Sequence, residues 1–347
     1  MLRQAIVVVR NDKKIIPILV ILVLASQCIQ NIPQAWTPDT YPDYTMFVLP
    51  YVQNCSLTHF PQRDGYVVLN DNVTAIHDGK YKDTRDPLKW YVNCSSYKLT
   101  GSASFIPILF SLGLIPLVYL LSVQLTKDKL LGLISMTTFI LNPLFSDWST
   151  SATYDQTWSF FLILSVYIMF RFKGTQYAIL GLIASLAAKG LGVLYLPAWI
   201  YSLWKTGATQ RNKLFGLGVL FLLFGLGSLY LVSKTNVVGG DIGFYPDHLQ
   251  DGLLRNMSML YDVIPALIFF AIISRIIKPK ERIKNNMLVI SWIVSAFMTT
   301  PLIYLFTNQF QFVYRFVPLA VFMSIFIAMT IIETGNYIVE RKLKVHV

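Results

Sequence analysis

Three short polar segments in an otherwise apolar chain carry the side chains best suited to chemistry. The first, Trp36-Thr-Pro-Asp39-Thr-Tyr-Pro-Asp43-Tyr44, offers two carboxylates within one turn-prone stretch. The second is Asp147-Trp-Ser-Thr-Ser-Ala-Thr-Tyr-Asp155-Gln156, and the third is Asn308-Gln-Phe-Gln-Phe-Val-Tyr314-Arg315. Each borders an apolar run. Ionisable groups that close to lipid face water, a cavity or a partner, because burying them in hydrocarbon is costly. A carboxylate there can take a proton from an attacking hydroxyl. An arginine at the same depth can grip a phosphate with two parallel hydrogen bonds. Plainer uses stand beside these. Asp39 and Asp43 also suit the start of a Pro-rich loop, Asp147 a loop or cap, and Asp155 a helix N-cap. Lys189 could snorkel to headgroups, and Arg315 beside Tyr314 could anchor a helix at the interface.

The elements that must position these groups are long apolar runs. The chain has 347 residues, 54% hydrophobic and 14% charged, against about a quarter charged in a soluble domain. A bilayer core of about 30 Å needs a helix of about 20 apolar residues. The runs are Ile15 to Ile32, Phe105–Leu125, Leu130–Phe145, Trp158–Phe172, Tyr177–Ala188, Leu191–Trp204, Leu214–Val232, Met259–Ile277, Met287–Phe306 and Phe316–Thr334. The expected fold is therefore all-α, a polytopic bundle of about ten spans forming one domain over residues 1–347. Arg3, Arg10, Lys13 and Lys14 before the first run resemble the start of a signal peptide. The run is long for one and no clear small-x-small cleavage site follows, so an uncleaved anchor is the expectation over a cleaved signal. Either way the N-terminus is inside. The remaining Lys and Arg gather at alternate junctions, which also puts the C-terminus inside. Because the +11 net charge sits at these junctions, it reflects membrane orientation and excludes nucleic acid as a partner. The partners expected from composition are membrane lipids, in a cell membrane.

A polar loop of about residues 33–103 should then lie outside. It holds the sequons Asn54-Cys-Ser, Asn72-Val-Thr and Asn93-Cys-Ser, which are meaningful only there. It also holds Cys55 and Cys94, which an oxidising compartment would let pair. Closing that loop would stabilise the fold by roughly 4 kcal/mol in the chain-entropy model. His59, His77 and His248 are scattered without metal-site spacing. Asp241, Asp247, His248 and Asp251 could hold a cation or simply be solvated. Gly216, Gly218, Gly225 and Gly227 would let helices approach closely. No phosphate-cradling Gly-rich motif occupies the short basic inner loops.

From Phe105 to Trp204 the chain resembles the core of the GT-C glycosyltransferases, multi-pass enzymes that use polyprenyl-phosphate sugars. The resemblance rests on the Pro38-Asp39 to Tyr44 segment after the first run and on Ser-Phe-Ile-Pro…Ile-Pro-Leu-Val-Tyr-Leu-Leu. It continues through Leu-Asn-Pro-Leu-Phe-Ser, Tyr154-Asp155 before Trp-Ser-Phe-Phe-Leu-Ile-Leu, Ala-Ser-Leu-Ala-Ala-Lys189-Gly-Leu-Gly, and Tyr314-Arg315-Phe-Val-Pro-Leu. It implies that Asp39 or Asp43 is the general base and that Asp155 shapes the acceptor or metal region. Lys189 and Arg315, with Tyr314, would contact the phosphate of a polyprenyl-phosphate sugar donor. It implies sugar transfer with inversion at the outer face. The resemblance fixes no cofactor, and a divalent cation is compatible with the acids. The chain departs from the pattern in separating its two acids, where many members have adjacent Asp-Glu. A non-catalytic multi-pass subunit presenting the long loop, or a transporter, is the alternative. A transporter would carry charges in mid-span and paired repeats, whereas here the titratable groups sit at one rim.

Overall fold

The structure is a computed structural model. It describes residues 14–37, 39–41, 43–58, 63–64, 66–69, 72–75, 82–83, 86–153, 156–173, 175–234, 244–277, 285–306 and 313–345. In membrane hydrocarbon every backbone polar group must be satisfied within the protein, so apolar runs become helices. All ten runs are helical. They form α1 (Ile15–Asn31), α4 (Phe105–Thr126), α5 (Lys129–Ile140), α7 (Thr157–Phe172), α8 (Thr175–Ala188), α9 (Leu196–Lys205), α10 (Gln210–Lys234), α12 (Ile264–Ile277), α13 (Asn286–Phe306) and α14 (Val317–Val345).

The runs are less regular than the sequence suggests. The third breaks at Leu141, where the Asn142 side chain accepts from the Leu144 N–H and starts a separate short α6 (Pro143–Ser146). Proline cannot continue a helix, and it is well placed at the start of a new one. The sixth run opens as a 3₁₀ turn, Gly190–Tyr195, before α9. Ahead of the eighth lies an additional helix, α11 (His248–Met259), bent 90° from α12. Among the described residues three helices are long and apolar enough to cross a membrane: Ile15–Trp36, Phe105–Thr126 and Val317–Val339. The bent α11–α12 pair would make a fourth, and Lys129–Ile140, Thr157–Phe172, Thr175–Ala188 and Asn286–Met298 are apolar but shorter.

The main core lies between α4, α5, α7, α8, α9, α13 and α14. Its largest fully buried side chains include Trp158, Trp199, Trp292, Tyr195, Phe139 and Phe322. Two buried indoles are satisfied by small residues on neighbouring helices: Trp199 donates to Ser165 Oγ at 2.7 Å and Trp292 to Ser202 Oγ at 2.8 Å. Small residues also set spacing. A Cβ on Gly181 would lie 3.2 Å from the Ser165 backbone, so α7 and α8 touch through their main chains there. Of the four glycines in the seventh run, Gly216 packs tightly on Thr175 and Gly218 faces open space. The side chains around Gly225 and Gly227 lie outside the described residues.

The segment between the first two runs folds into a cap on the bundle. It contains a π turn (Tyr44–Val48), α2 (Leu49–Asn54) and α3 (Pro87–Thr100). It also contains two short antiparallel pairings, β1 (Arg63–Asp64) with β4 (Lys82–Asp83) and β2 (Tyr66–Leu69) with β3 (Asn72–Ala75). A second small core joins Phe47, Val48 and Val52 to Trp90, Ala103 and Ala152. Cys55 and Cys94 are bonded, Cα–Cα 6.0 Å, which ties the end of α2 to the middle of α3. Cys28 is free and half-buried. The exit from α1 is pinned where α3 meets α4: Ser102 Oγ donates to the Ala35 carbonyl, and the Trp36 indole to the Thr100 carbonyl at 3.3 Å. Replacing Cys94 by Ala should lower stability by about 4 kcal/mol, the loop-entropy value for a 39-residue separation. Thermal melting in detergent would measure it, and an unchanged melting temperature would mean the cap holds without the bond.

Candidate functional site

Asp39 is anchored to a loop more than a hundred residues away. Its Oδ2 accepts from Ser151 Oγ at 3.0 Å, the Ala152 N–H at 3.1 Å, the Thr153 N–H at 3.2 Å and Thr153 Oγ1 at 3.0 Å. Its Oδ1 accepts from the Tyr41 N–H at 3.1 Å. The opposite side of the same loop is held by α3. There the Lys89 ammonium donates to the Thr153 carbonyl, and Asn93 Nδ2 to the Ala152 carbonyl at 3.3 Å. Lys89 and Asn93 are both buried. Sequence reasoning missed Lys89 entirely and took Asn93 for a glycosylation acceptor. Asn93 is wholly buried with its amide committed to the loop, so that sequon is structural. The available signal was position: Lys89 and Asn93 are one helical turn apart, flanking Trp90 and Cys94 on a single short helix.

The carboxylate lies among aromatic side chains. Tyr41 stacks on Trp148 with ring centroids 4.9 Å apart. Burial first, then the charges of Asp39 and Asp147, push the Tyr41 phenol upward. Burial, Asp39 and Tyr97 do the same to Tyr44. Asp39, Asp147, Tyr41 and Tyr44 thus share one neighbourhood. Asp43, half-buried, precedes the π turn and does not cap it with its side chain. Asp155 lies outside the described residues, two positions beyond the anchored Thr153, and the N-cap of α7 is Gln156.

The cationic candidates stand at the two ends of one element. Lys189, half-exposed, precedes the Gly190–Tyr195 turn. At the far end, the Tyr195 hydroxyl donates to the Arg315 carbonyl at 3.0 Å. Asp86, at the start of α3, accepts from the Gly190 N–H at 3.1 Å, linking this turn to the cap. The Tyr314 side chain lies outside the described residues.

Arg315 has company that the sequence did not reveal. Arg315, Arg255 and Asp251 all lie within electrostatic reach of the Tyr304 phenol. Arg255 and Asp251 belong to α11, which packs closely along α13. A Cβ on Gly252 would sit 2.9 Å from Pro301 Cα, and Asn256 Nδ2 donates to the Phe297 carbonyl at 2.6 Å. Of the acid–His cluster of this region, His248 stacks on Tyr245, and Asp241 lies outside the described residues. Among the described residues no group of three or more His, Cys, Asp or Glu could hold a metal ion.

This bundle of apolar helices with a folded cap shares its fold with a solved protein, and part of it matches a family model. Residues 85–232, from α3 into α10, match the family model described as dolichyl-phosphate-mannose-protein mannosyltransferase. Among solved structures the chain is similar to "Crystal Structure of ArnT from Cupriavidus metallidurans bound to Undecaprenyl phosphate", at 13% identity and a TM-score of 0.53. The likeness covers 94% of this chain and 62% of that one, so the chain spans under two thirds of that protein's length. No curated protein sequence matches it.

The cap's packing sets a pH limit. Tyr51 meets Trp90 edge-on at 4.9 Å, and burial, reinforced by Tyr91, pushes its phenol up to about 12 from an ordinary 10.0. The folded chain therefore favours neutral Tyr51. That contribution is complete below pH 10 and is lost as pH rises to about 12. Tyr51→Phe should flatten the fall of the melting temperature over this window relative to the unsubstituted protein. Identical pH profiles for the two proteins would contradict the buried phenol.

Proposed function

We propose that the protein transfers a sugar from a polyprenyl-phosphate carrier to an acceptor hydroxyl at the extracytoplasmic face of a cell membrane. One observation carries this reading. On a fold similar to that of a protein crystallised with undecaprenyl phosphate, the Asp39 carboxylate is bonded to the loop leading to Asp155. That brings the first and second acidic segments to one point on the rim. A carboxylate of the first segment, Asp39 or Asp43, removes the acceptor proton as its oxygen attacks the anomeric carbon. The bond from that carbon to the phosphate oxygen breaks. The polyprenyl phosphate leaves with the electron pair, and the sugar inverts. Asp155 shapes the acceptor side. Lys189, Arg315 and Tyr314 hold the lipid phosphate, where charge accumulates on the leaving group. A divalent cation, if one takes part, would use the acids of this rim. The Cys55–Cys94 bond supports an oxidising compartment for the cap.

The non-catalytic subunit and transporter readings are weaker because the sequence sets its acids and arginines beside or at the ends of the apolar runs instead of in mid-span. Proteoliposomes supplied with a radiolabelled polyprenyl-phosphate sugar and extracted acceptors should show transfer to an acceptor. The Asp39→Ala/Asp43→Ala double variant should lose at least about a hundredfold in rate, the usual worth of a general base, at unchanged protein level. Undiminished transfer by the double variant would remove the proposed base. Solute uptake without any transfer would favour the transporter.

A further inference from the structure

The end of the bundle away from the cap holds a charged cluster of its own. We infer that Lys173, Lys205 and Lys213 form a seat for the headgroup of an anionic phospholipid in the leaflet on that side, with Trp204 against its acyl chains. This surface is separate from the rim at the cap and does not rest on the proposed transferase reading.

Helix direction fixes where the cluster lies. α7 starts beside the loop that the cap holds and runs 16 residues, about 24 Å. Phe172 and Lys173 therefore stand at the opposite end. α8 returns toward the cap, where Asp86 accepts from the Gly190 N–H. α9 then leads away again to Lys205. The α7–α8 turn and the α9–α10 connection, residues 206–209, thus meet far from the cap. Thr175 Oγ1 joins them by donating to the Asn212 carbonyl at 2.8 Å. A Cβ on Gly207 would lie 3.6 Å from Lys173 Cε and 3.9 Å from its Nζ. Lys213 Nζ donates to the Trp204 carbonyl at 2.8 Å and stands 5.6 Å from the Trp204 ring centre. Lys205 Nζ lies 5.4 Å from the centre of the Tyr201 ring. Three lysines thus gather at one short connection, and Arg171 and Arg211 each precede one of them by two positions.

No acid offsets this charge. Between Gln156 and Gly240 the sequence holds no Asp or Glu. Among the described residues none of these five cations makes an ion pair. The contacts that orient Lys205 and Lys213 are neutral, a carbonyl and two aromatic faces. Helix C-termini supply about half a negative charge each. Only α7 and α9 end here, so most of the positive charge stays unanswered. An ammonium has three donors, and Lys213 gives one of them to the Trp204 carbonyl. The others can meet phosphate oxygens. The flank decides the kind of anion. Phe172, Trp204, Leu214 and Phe215 are exposed apolar side chains at this same end. A nucleic acid or an acidic protein would leave them in water. A phospholipid answers both features, with its phosphate on the ammonium groups and its chains along the apolar flank.

Phosphatidylglycerol titrated into phosphatidylcholine nanodiscs holding the full chain gives an apparent affinity from the rise in melting temperature. Three cations at an anionic surface are worth about a hundredfold, so Lys173→Gln/Lys205→Gln/Lys213→Gln should weaken that affinity at least about tenfold. This variant should melt like the unsubstituted protein in pure phosphatidylcholine. Lys14→Gln/Lys129→Gln/Arg275→Gln removes the same charge elsewhere and should change the affinity less than about threefold, because distant charges are screened. Brominated phosphatidylglycerol should also quench tryptophan emission more than brominated phosphatidylcholine at equal mole fraction, and Trp204→Phe should remove the excess. The inference is overturned if the two triple variants weaken the affinity equally, since the charge would then act diffusely. It also fails if melting is indifferent to phosphatidylglycerol. A matching rise from inorganic phosphate in pure phosphatidylcholine discs would assign the cluster to a soluble anion instead. Should the lysine variant not fold, quenching decides alone, and equal quenching by the two brominated lipids removes the seat.

Discussion

The structure turns on the need to satisfy backbone polar groups where neither water nor lipid can do so. Ten apolar runs meet that need internally by becoming helices. The turn at Ala152 and Thr153, beyond α6, does not, because there the chain reverses outside any helix. Its N–H and C=O groups are answered from outside the element, by a carboxylate on one flank and an ammonium and an amide on the other. Every group of the candidate site described around Asp39 owes its place to this arrangement. The cap exists in turn to deliver those three side chains. Its small core of Phe47, Val52 and Trp90 includes Ala152 of the loop itself.

The same requirement explains the second half of the rim. Tyr195 reaches the Arg315 carbonyl because the entry to α14 is a 3₁₀ turn with a backbone acceptor left over. The Ser295 hydroxyl likewise answers the Leu194 carbonyl at 3.2 Å. Lys189 and Arg315 are thereby tied to the two ends of one turn. Arg255, invisible to a search for residues beside spans, joins Arg315 through an amphipathic helix lying against α13.

What the sequence made legible follows from period and composition. Hydrophobic runs of helical length identified every apolar helix, because burial in lipid leaves the backbone no other choice. The three polar segments were visible because acids and arginines are rare in such a chain. The breaks were harder to see. Asn142-Pro143 reads as part of one long run until its cap is recognised, and the loop of residues 33–103 gives little hint that it contains α2, α3 and a private core. Lys89 and Asn93 were illegible for a plainer reason: their function depends on which backbone carbonyls come to face them, and no local pattern encodes a contact about sixty residues away. Cys55 and Cys94 were legible as a pair because only two cysteines fall in that segment.

The brevity of several helices reaches beyond the protein. At 1.5 Å per residue α5, α7 and α8 measure about 18, 24 and 21 Å, against a hydrocarbon layer of about 30 Å. Leu141, Phe172, Tyr177 and Leu180 at their ends are open to the surroundings. Lipid alongside this flank must dip to meet the mismatch, at a modest cost for each ångström of thinning. The short helices thus make the protein itself set the local depth of the bilayer along this flank, and any membrane it resides in must yield to that thickness.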